Sequence, residues 1–285
     1  MIGMTQDADA LGERLLARLR RLDGVAVAFS GGVDSALVLA AAVRALPADR
    51  VRAVIADSPS LARTELAGAR AVAAGLGVGL AEIRTAELDV PGYRSNAGDR
   101  CYFCKHTVLT AVSEVAARQG IRHVATGTHA DDHRAAHRPG LRAARELEVV
   151  EPLAEAGLGK REVRLLAAAW SLPVADKPAA PCLASRIAVG VPVSLTRLNL
   201  VERAEATLRD QLAGAGLAAR DVRVRLLARG FRIELDQAAH AALGARPALA
   251  GSLLTRLEKL IGNGPGQLAA YRLPASTGSA GSNVT

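Results

Sequence analysis

The sequence predicts an α/β protein with a doubly wound parallel sheet, followed by a small α+β domain. Three observations carry this. Short apolar runs alternate with helical stretches of 10–18 residues through the first 126 positions. Glycine, serine or aspartate follows directly on the apolar runs, as at Ser30, Asp57 and Gly127. Beyond residue 190 the pattern changes, and two short runs alternate apolar with polar residues as half-buried strands do. The expected division is 1–189 for the parallel-sheet domain, 190–273 for the small domain and 274–285 for a flexible Ser/Gly-rich tail.

Residues 25–29 (Val-Ala-Val-Ala-Phe) read as a buried strand between Gly24 and Ser30. Residues 34–46 are strong helix formers stopped by Pro47. A second strand is expected over 51–56, a helix over 60–75 ended by Gly75, and a third strand over 78–83. A loop follows through Pro91, Gly92, Asn96 and Gly98, then a helix over 102–119 and a strand over 121–126. Residues 128–158 read as irregular and polar, and 159–170 as a short helix. The stretch 172–181 holds three prolines and reads as an extended link. In the second domain, a helix is expected over 195–212, strands over 222–226 and 231–235, and helices near 236–245 and 248–261. Ligands of such parallel sheets bind at the carboxyl ends of the strands, so Ser30, Asp57 and Gly127 should line one crevice.

Half of the 285 residues are hydrophobic but only 2% are aromatic, so Ala, Val and Leu must fill the core. No run reaches the roughly 18 apolar residues of a membrane span, and residues 1–10 lack the basic and apolar regions of a secretory leader. A cytoplasmic protein without membrane contact is expected. The formal net charge of +8 admits nucleic acid, yet only four of 36 basic residues are lysine and few aromatics are available to stack on bases. The charge therefore points to phosphate-bearing small molecules rather than nucleic acid. Lys105 and Lys177 stand out because both lie close to cysteines.

Between the first strand and its helix stands Ser30-Gly31-Gly32-Val33-Asp34-Ser35. Two glycines allow a tight turn that presents backbone N–H groups, and the helix start favours an anion. That geometry suits pyrophosphate, with Asp34 placed to hold Mg²⁺. The loop differs from both GxxxxGK[ST] and GxGxxG. It resembles the SGGxDS loop of the PP-loop ATP pyrophosphatases, which split ATP between its α and β phosphates and pass AMP to a substrate oxygen. The resemblance implies ATP as cofactor and phosphate contacts from Ser30, Gly31, Gly32, Asp34, Ser35, Ser58 and Gly127.

Three cysteines are present. Cys101-Tyr102-Phe103-Cys104-Lys105 opens a helix, where a thiol pKa is lowered. Cys182 follows Pro178 and Pro181 and precedes Ser185 and Arg186. Converging, the three thiolates could bind three irons of a [4Fe–4S] cluster and leave the fourth open, or they could be unrelated packed thiols. His106, His129, His133 and His137 fit no ligand spacing and read as solvated loop residues.

The ordered set of motifs is more specific than any one of them. After SGGVDS come Ser58-Pro59-Ser60, Cys101 to Lys105, Asp131-Asp132 with Arg138-Pro139-Gly140, Leu158-Gly159-Lys160-Arg161-Glu162-Val163-Arg164, Cys182-Leu183-Ala184-Ser185-Arg186-Ile187 and Val222-Arg223-Val224-Arg225. Over residues 10–265 the chain resembles the LarE-type ATP-dependent sulfur transferases of nickel-pincer cofactor synthesis. The resemblance implies that ATP adenylates a carboxylate of a pyridinium dicarboxylate mononucleotide and that a sulfur nucleophile then displaces AMP. In one branch the cysteine matching Cys182 gives up its own sulfur; in another, three cysteines hold a [4Fe–4S] cluster bearing sulfide. The cysteine set here resembles the second. The implied catalytic residues are Cys182, Asp34 and Lys105; Arg223, Arg225 and Arg186 would take the substrate phosphate; Cys101, Cys104 and Cys182 would hold the cluster. Glu205 and Glu234 match carboxylates associated with a metal in the family, but read by themselves as surface residues. A homo-oligomer is also implied. The competing reading is a PP-loop tRNA thiolase or an amide-forming synthetase.

Overall fold

The computed structural model describes residues 2–134 and 139–271. Arg138, His137 and the expected tail over 274–285 lie outside the described residues. The chain divides into two compact units: residues 1–87 with 101–180, and residues 88–100 with 181–285.

The first unit opens with α1 (Ile2–Leu19), an element the sequence reading did not assign. Then come β1 (Val25–Ala28), α2 (Val33–Ala45), β2 (Val51–Asp57), α3 (Arg63–Gly75) and β3 (Leu80–Arg84). The segment 88–100, expected as loop, carries the short α4 (Pro91–Ser95). Next are α5 (Arg100–Arg118) and β4 (His123–Ala125). Residues 128–158, expected to be irregular, instead form three short helices: α6 (Ala130–Arg134), α7 (Pro139–Glu146) and α8 (Pro152–Glu155). Polar composition had hidden them, because helices this short bury little. The unit closes with α9 (Lys160–Ala169).

The four strands are all parallel, in the order β3-β2-β1-β4. Period-two alternation sorts their side chains to two faces. Val25, Val27, Ala53 and Ile55 pack with Leu15, Leu19, Leu66, Val72, Val163 and Leu166 from α1, α3 and α9, and with α2. Ala26, Val54 and Val124 pack on the other face with Leu109, Val112, Val115 and Ala116 of α5. Helices on both faces make the sheet doubly wound. Its order reverses between β1 and β4, the position at which such sheets open a crevice. Among the described residues no helix is long and apolar enough to cross a membrane.

The second unit contains α10 (Leu195–Gly214), β5 (Val222–Leu226), β6 (Phe231–Leu235), α11 (Gln237–Gly244), α12 (Pro247–Ile261) and β7 (Gly266–Ala270). β5 and β6 form an antiparallel hairpin, and β7 adds parallel to β6. β7 was not expected: Gly-Gln-Leu-Ala-Ala lacks the β-branched and aromatic residues that mark strands. Asn96 ties residues 88–100 into this unit. Buried, in left-handed conformation at φ 51°, it donates from Nδ2 to the carbonyls of Ala188 (2.8 Å) and Val191 (2.9 Å), and its Oδ1 accepts from Arg100 (3.0 Å).

Candidate active site

The glycine turn after β1 is fixed from several sides. Gly31 has φ +71°, and a Cβ there would stand 2.8 Å from Ala69 Cβ on α3, so side-chain and backbone limits both select glycine. Ser35 Oγ accepts the Ser30 N–H (3.2 Å) and donates to the Gly32 carbonyl (3.2 Å), while the Ser30 and Ser35 hydroxyls lie 3.1 Å apart. Gly32 is the N-cap of α2, and no side chain caps the helix. The first-turn N–H groups are thus left for an external acceptor. Gly127, just past β4, comes so close to this helix start that a Cβ would meet Ser35 N at 2.7 Å.

Ser30, Asp34 and Ser35 from the turn, Ala56 past the middle of β2, Lys105 and Leu109 of α5, and Thr126, Gly127, Thr128 and Asp132 beyond β4 line a cleft of about 340 Å³. That volume falls in the range of small-molecule sites, roughly 300–1,000 Å³. The structure therefore brings together the expected Ser30, Asp34, Ser35, Lys105 and Gly127. Ser58 is buried, its Oγ accepting the Ser60 N–H (3.1 Å), and it is not among the residues that line the cleft.

One residue of the site escaped the sequence reading. Lys160 Nζ lies 2.6 Å from both carboxylate oxygens of Asp34. It occupies the first position of α9, where its N–H donates to Asp131 Oδ2 (2.7 Å). A Cβ at Gly159 would meet the same Asp131 oxygen at 2.7 Å and Glu162 Oε2 at 2.9 Å, so those side-chain ends would have to shift. The paired position 126 residues away hid this contact, although Lys160 stood within a motif already singled out. Lys177 is not a partner of cysteine. Its Nζ donates to Glu65 Oε2 (2.7 Å) and to the Gly31 carbonyl (3.3 Å), bracing the glycine turn from behind. Nor is His129 solvated: its side chain is 13% exposed, with Nε2 3.5 Å from Asp132 Oδ2. Mg²⁺ commonly takes one or two carboxylates plus substrate phosphates, and the Asp34 and Asp132 carboxylates on the cleft wall fit that habit.

In the second unit, Cys182 is exposed and precedes a 3₁₀ turn, Leu183–Arg186. Its carbonyl accepts from Ser185 N (2.9 Å), Ser185 Oγ (2.7 Å) and Arg186 Nη1 (3.3 Å). Arg186 is buried, with Nε donating to Glu205 Oε1 (2.9 Å). Arg225 donates to both oxygens of Glu234 and to the Ser185 carbonyl (3.1 Å). Arg223 is buried, its guanidinium 3.6 Å from the Tyr271 ring centroid. Glu205 and Glu234, expected at the surface, are each 7% exposed. Guanidinium partners make that burial tolerable, since an unpaired buried charge is costly.

Cys101 and Cys104 sit three residues apart on one face of the first turn of α5. None of the three cysteines is in a disulfide. Soft thiol donors, three in number, have the chemistry of an open-site iron–sulfur cluster. Among the described residues, no three His, Cys, Asp or Glu side chains are gathered as a metal site.

Residues 10–133 match the family described as NAD synthase. The chain is 34% identical over 224 residues to the pyridinium-3,5-bisthiocarboxylic acid mononucleotide synthase of Lactiplantibacillus plantarum, covering 79% of each protein. It belongs to the LarE-type family of ATP-dependent sulfur transferases. An uncharacterized protein of Synechocystis is 40% identical over 223 residues, 78% of this chain and 80% of that one. Another, from Methanocaldococcus jannaschii, is 26% identical over 191 residues, 67% of this chain and 71% of that one. The glycine turn at the head of α2 lies within the segment that the NAD synthase family matches.

Proposed function

We propose that this enzyme adenylates a carboxylate of a pyridinium dicarboxylate mononucleotide and converts it to a thiocarboxylate for nickel-pincer nucleotide synthesis. The observation that carries the reading is the cleft at the β1/β4 reversal, where the uncapped start of α2 carries Asp34, paired with Lys160. The Lactiplantibacillus relative bears the name of that activity.

The residues divide the work by their chemistry. N–H groups of the Ser30 to Ser35 turn and the α2 start take the leaving pyrophosphate. Asp34 and Asp132 would hold Mg²⁺, which would supply charge neutralisation at the phosphates, and Lys160 moves from Asp34 onto phosphate oxygen. Lys105, which also lines the cleft, steadies the charge at the α phosphate. A substrate carboxylate oxygen bonds to the α phosphorus as the bond to the bridging oxygen breaks, giving acyl-adenylate and pyrophosphate. The Cys182 thiolate then attacks the acyl carbon and AMP departs. Loss of the Cys182 Cα proton with cleavage of its Cβ–S bond frees the thiocarboxylate and leaves dehydroalanine. Cys101, Cys104 and Cys182 are the residues that would hold a [4Fe–4S] cluster, which would supply sulfide as the nucleophile and spare the Cys182 sulfur. Arg223 is assigned to the substrate phosphate, while Arg225, on the same strand face, has its guanidinium taken up by Glu234 and the Ser185 carbonyl. The enzyme works in the cytoplasm as a homo-oligomer, on a small molecule and not on nucleic acid.

The test is product analysis with ATP and the pyridinium mononucleotide. Wild type should release pyrophosphate and form thiocarboxylate; Asp34→Ala should do neither; Cys182→Ala should release pyrophosphate but form no thiocarboxylate. If wild type leaves the mononucleotide unchanged while ATP is consumed with another acceptor, the substrate assignment falls. A wild-type mass lower by one hydrogen sulfide after a single turnover marks the sacrificial route, and an unchanged mass the sulfide route.

A further inference from the structure

The two buried carboxylates of the second unit lead beyond phosphate binding. Glu205 Oε1 receives Arg186 Nε at 2.9 Å and the Val224 N–H at 3.1 Å. So held, Arg186 turns Nη1 onto the Pro181 carbonyl, the Cys182 carbonyl (3.3 Å) and Ser185 Oγ (3.1 Å). From the other side of the same turn, Arg225, fixed by Glu234, donates to the Ser185 carbonyl at 3.1 Å. The Ile187–Leu226 bridge and the Ala188 N–H to Leu226 carbonyl bond (2.9 Å) then stitch the end of the turn to β5. Every strong acceptor of residues 181–185 named here is gripped by an arginine that itself has a buried or half-buried carboxylate behind it.

We propose that Arg186, seated by Glu205, is a positioning residue that sets the turn presenting Cys182, rather than a ligand of the substrate phosphate. Its side chain is 9% exposed and its fork is directed at protein carbonyls. A phosphate ligand needs its donors turned to solvent or substrate. Glu205 acts through Arg186, as a rigid anchor whose geometry a fork-shaped guanidinium matches and a lysine ammonium does not. This rests on the assignment of Cys182 to sulfur transfer.

The test compares Arg186→Lys and Glu205→Gln with wild type in the two half-reactions, together with hydrogen–deuterium exchange over residues 183–187. Thiocarboxylate formation should fall about tenfold or more in both variants, as expected when a reacting group is displaced by about 1 Å. Pyrophosphate release and the KM for the mononucleotide should stay within about twofold, a split that general unfolding would not give. Amide exchange at Ser185 and Ile187 should rise about tenfold or more as the turn loosens. A KM raised about tenfold with kcat kept identifies a phosphate ligand and overturns the proposal; so does unchanged exchange in both variants, or a parallel loss of pyrophosphate release. Ser185→Ala, which removes the hydroxyl donor to the Cys182 carbonyl and one acceptor of Arg186 while leaving the Arg186–Glu205 pair in place, should repeat the loss in milder form. Cys182→Ala tests the underlying assignment separately: if it still forms thiocarboxylate while Arg186→Lys speeds exchange, the grip stands and the role of Cys182 fails.

Discussion

Asp34 and Lys160 form the most consequential side-chain pair in the first unit. The ammonium holds both carboxylate oxygens at 2.6 Å in a wall of the cleft. Replacing Lys160 with Met should lower the rate of pyrophosphate release by about 10²-fold or more, the usual cost of removing one preorganised charge-stabilising donor. Stopped-flow pyrophosphate assay would read it, and a rate within threefold of wild type would exclude Lys160 from the step. Gly127→Ala makes a second prediction. Its Cβ would press on Ser35 N at 2.7 Å and on Asp34 Cβ at 2.9 Å, so it should cost about 1–3 kcal/mol and weaken ATP binding together, in calorimetry. Glu87 supplies a pH prediction. Burial pushes its carboxyl up from the ordinary range, only partly offset by its own backbone N–H, and Oε2 is buried without a hydrogen-bond partner among the described residues. The native state therefore keeps this proton to higher pH than the unfolded chain does. The resulting stability is full below the unfolded pKa and is lost as pH rises through the folded one. Relative to wild type, Glu87→Gln should gain in Tm as pH rises from 4 towards 7; a difference independent of pH would show that Glu87 is charged in the fold.

At the level of elements, the sequence was legible where periodicity was strong and long. All four strands of the parallel sheet and helices α2, α3, α5, α9 and α10 lie within a few residues of their expected bounds. What stayed hidden had a physical cause in each case. β7 lacks strand-forming side chains and exists because β6 offers it a free edge. Glu205 could have been placed: it stands on the stripe of α10 formed by Leu198, Val201, Leu208 and Leu212, all buried, at the three-and-four spacing of a core-facing helix. A carboxylate on such a stripe needs an internal partner, and Arg186 is that partner. Asp131, Lys160 and the cleft wall around Thr128 depended on short helices that carry no clear period. Asp236 tests how far local caps matter. Burial would raise its carboxyl, but the N–H groups of Ala239, Arg220 and Asp221 outweigh that and hold it below the ordinary range. Asp236→Ala should cost about 1 kcal/mol by chemical denaturation, the typical worth of an N-cap. The contribution of Asp236 is present above the unfolded pKa and is lost as pH falls through the folded one, so the gap between wild type and variant should close in acid.

For the molecule as a whole, the strand order β3-β2-β1-β4 decides where chemistry happens. The reversal beside β1 puts the glycine turn and the β4 exit on one rim, which the alternation of strands and helices already foretold. The iron question also belongs at this scale, because Cys101 and Cys104 fall in one unit and Cys182 in the other. Protein prepared without oxygen should carry iron and acid-labile sulfide, and Cys101→Ser should lose both; iron retained in Cys101→Ser would remove Cys101 from the ligand set, and none in wild type would leave Cys182 to act without a cluster. The composition of the second unit has a consequence for biosynthesis. Asn96 leaves the ribosome more than ninety residues ahead of the carbonyls of Ala188 and Val191 that it must serve. A nascent chain must therefore keep that amide waiting while the whole parallel sheet forms, and a fragment starting at residue 181 would emerge without its own keystone.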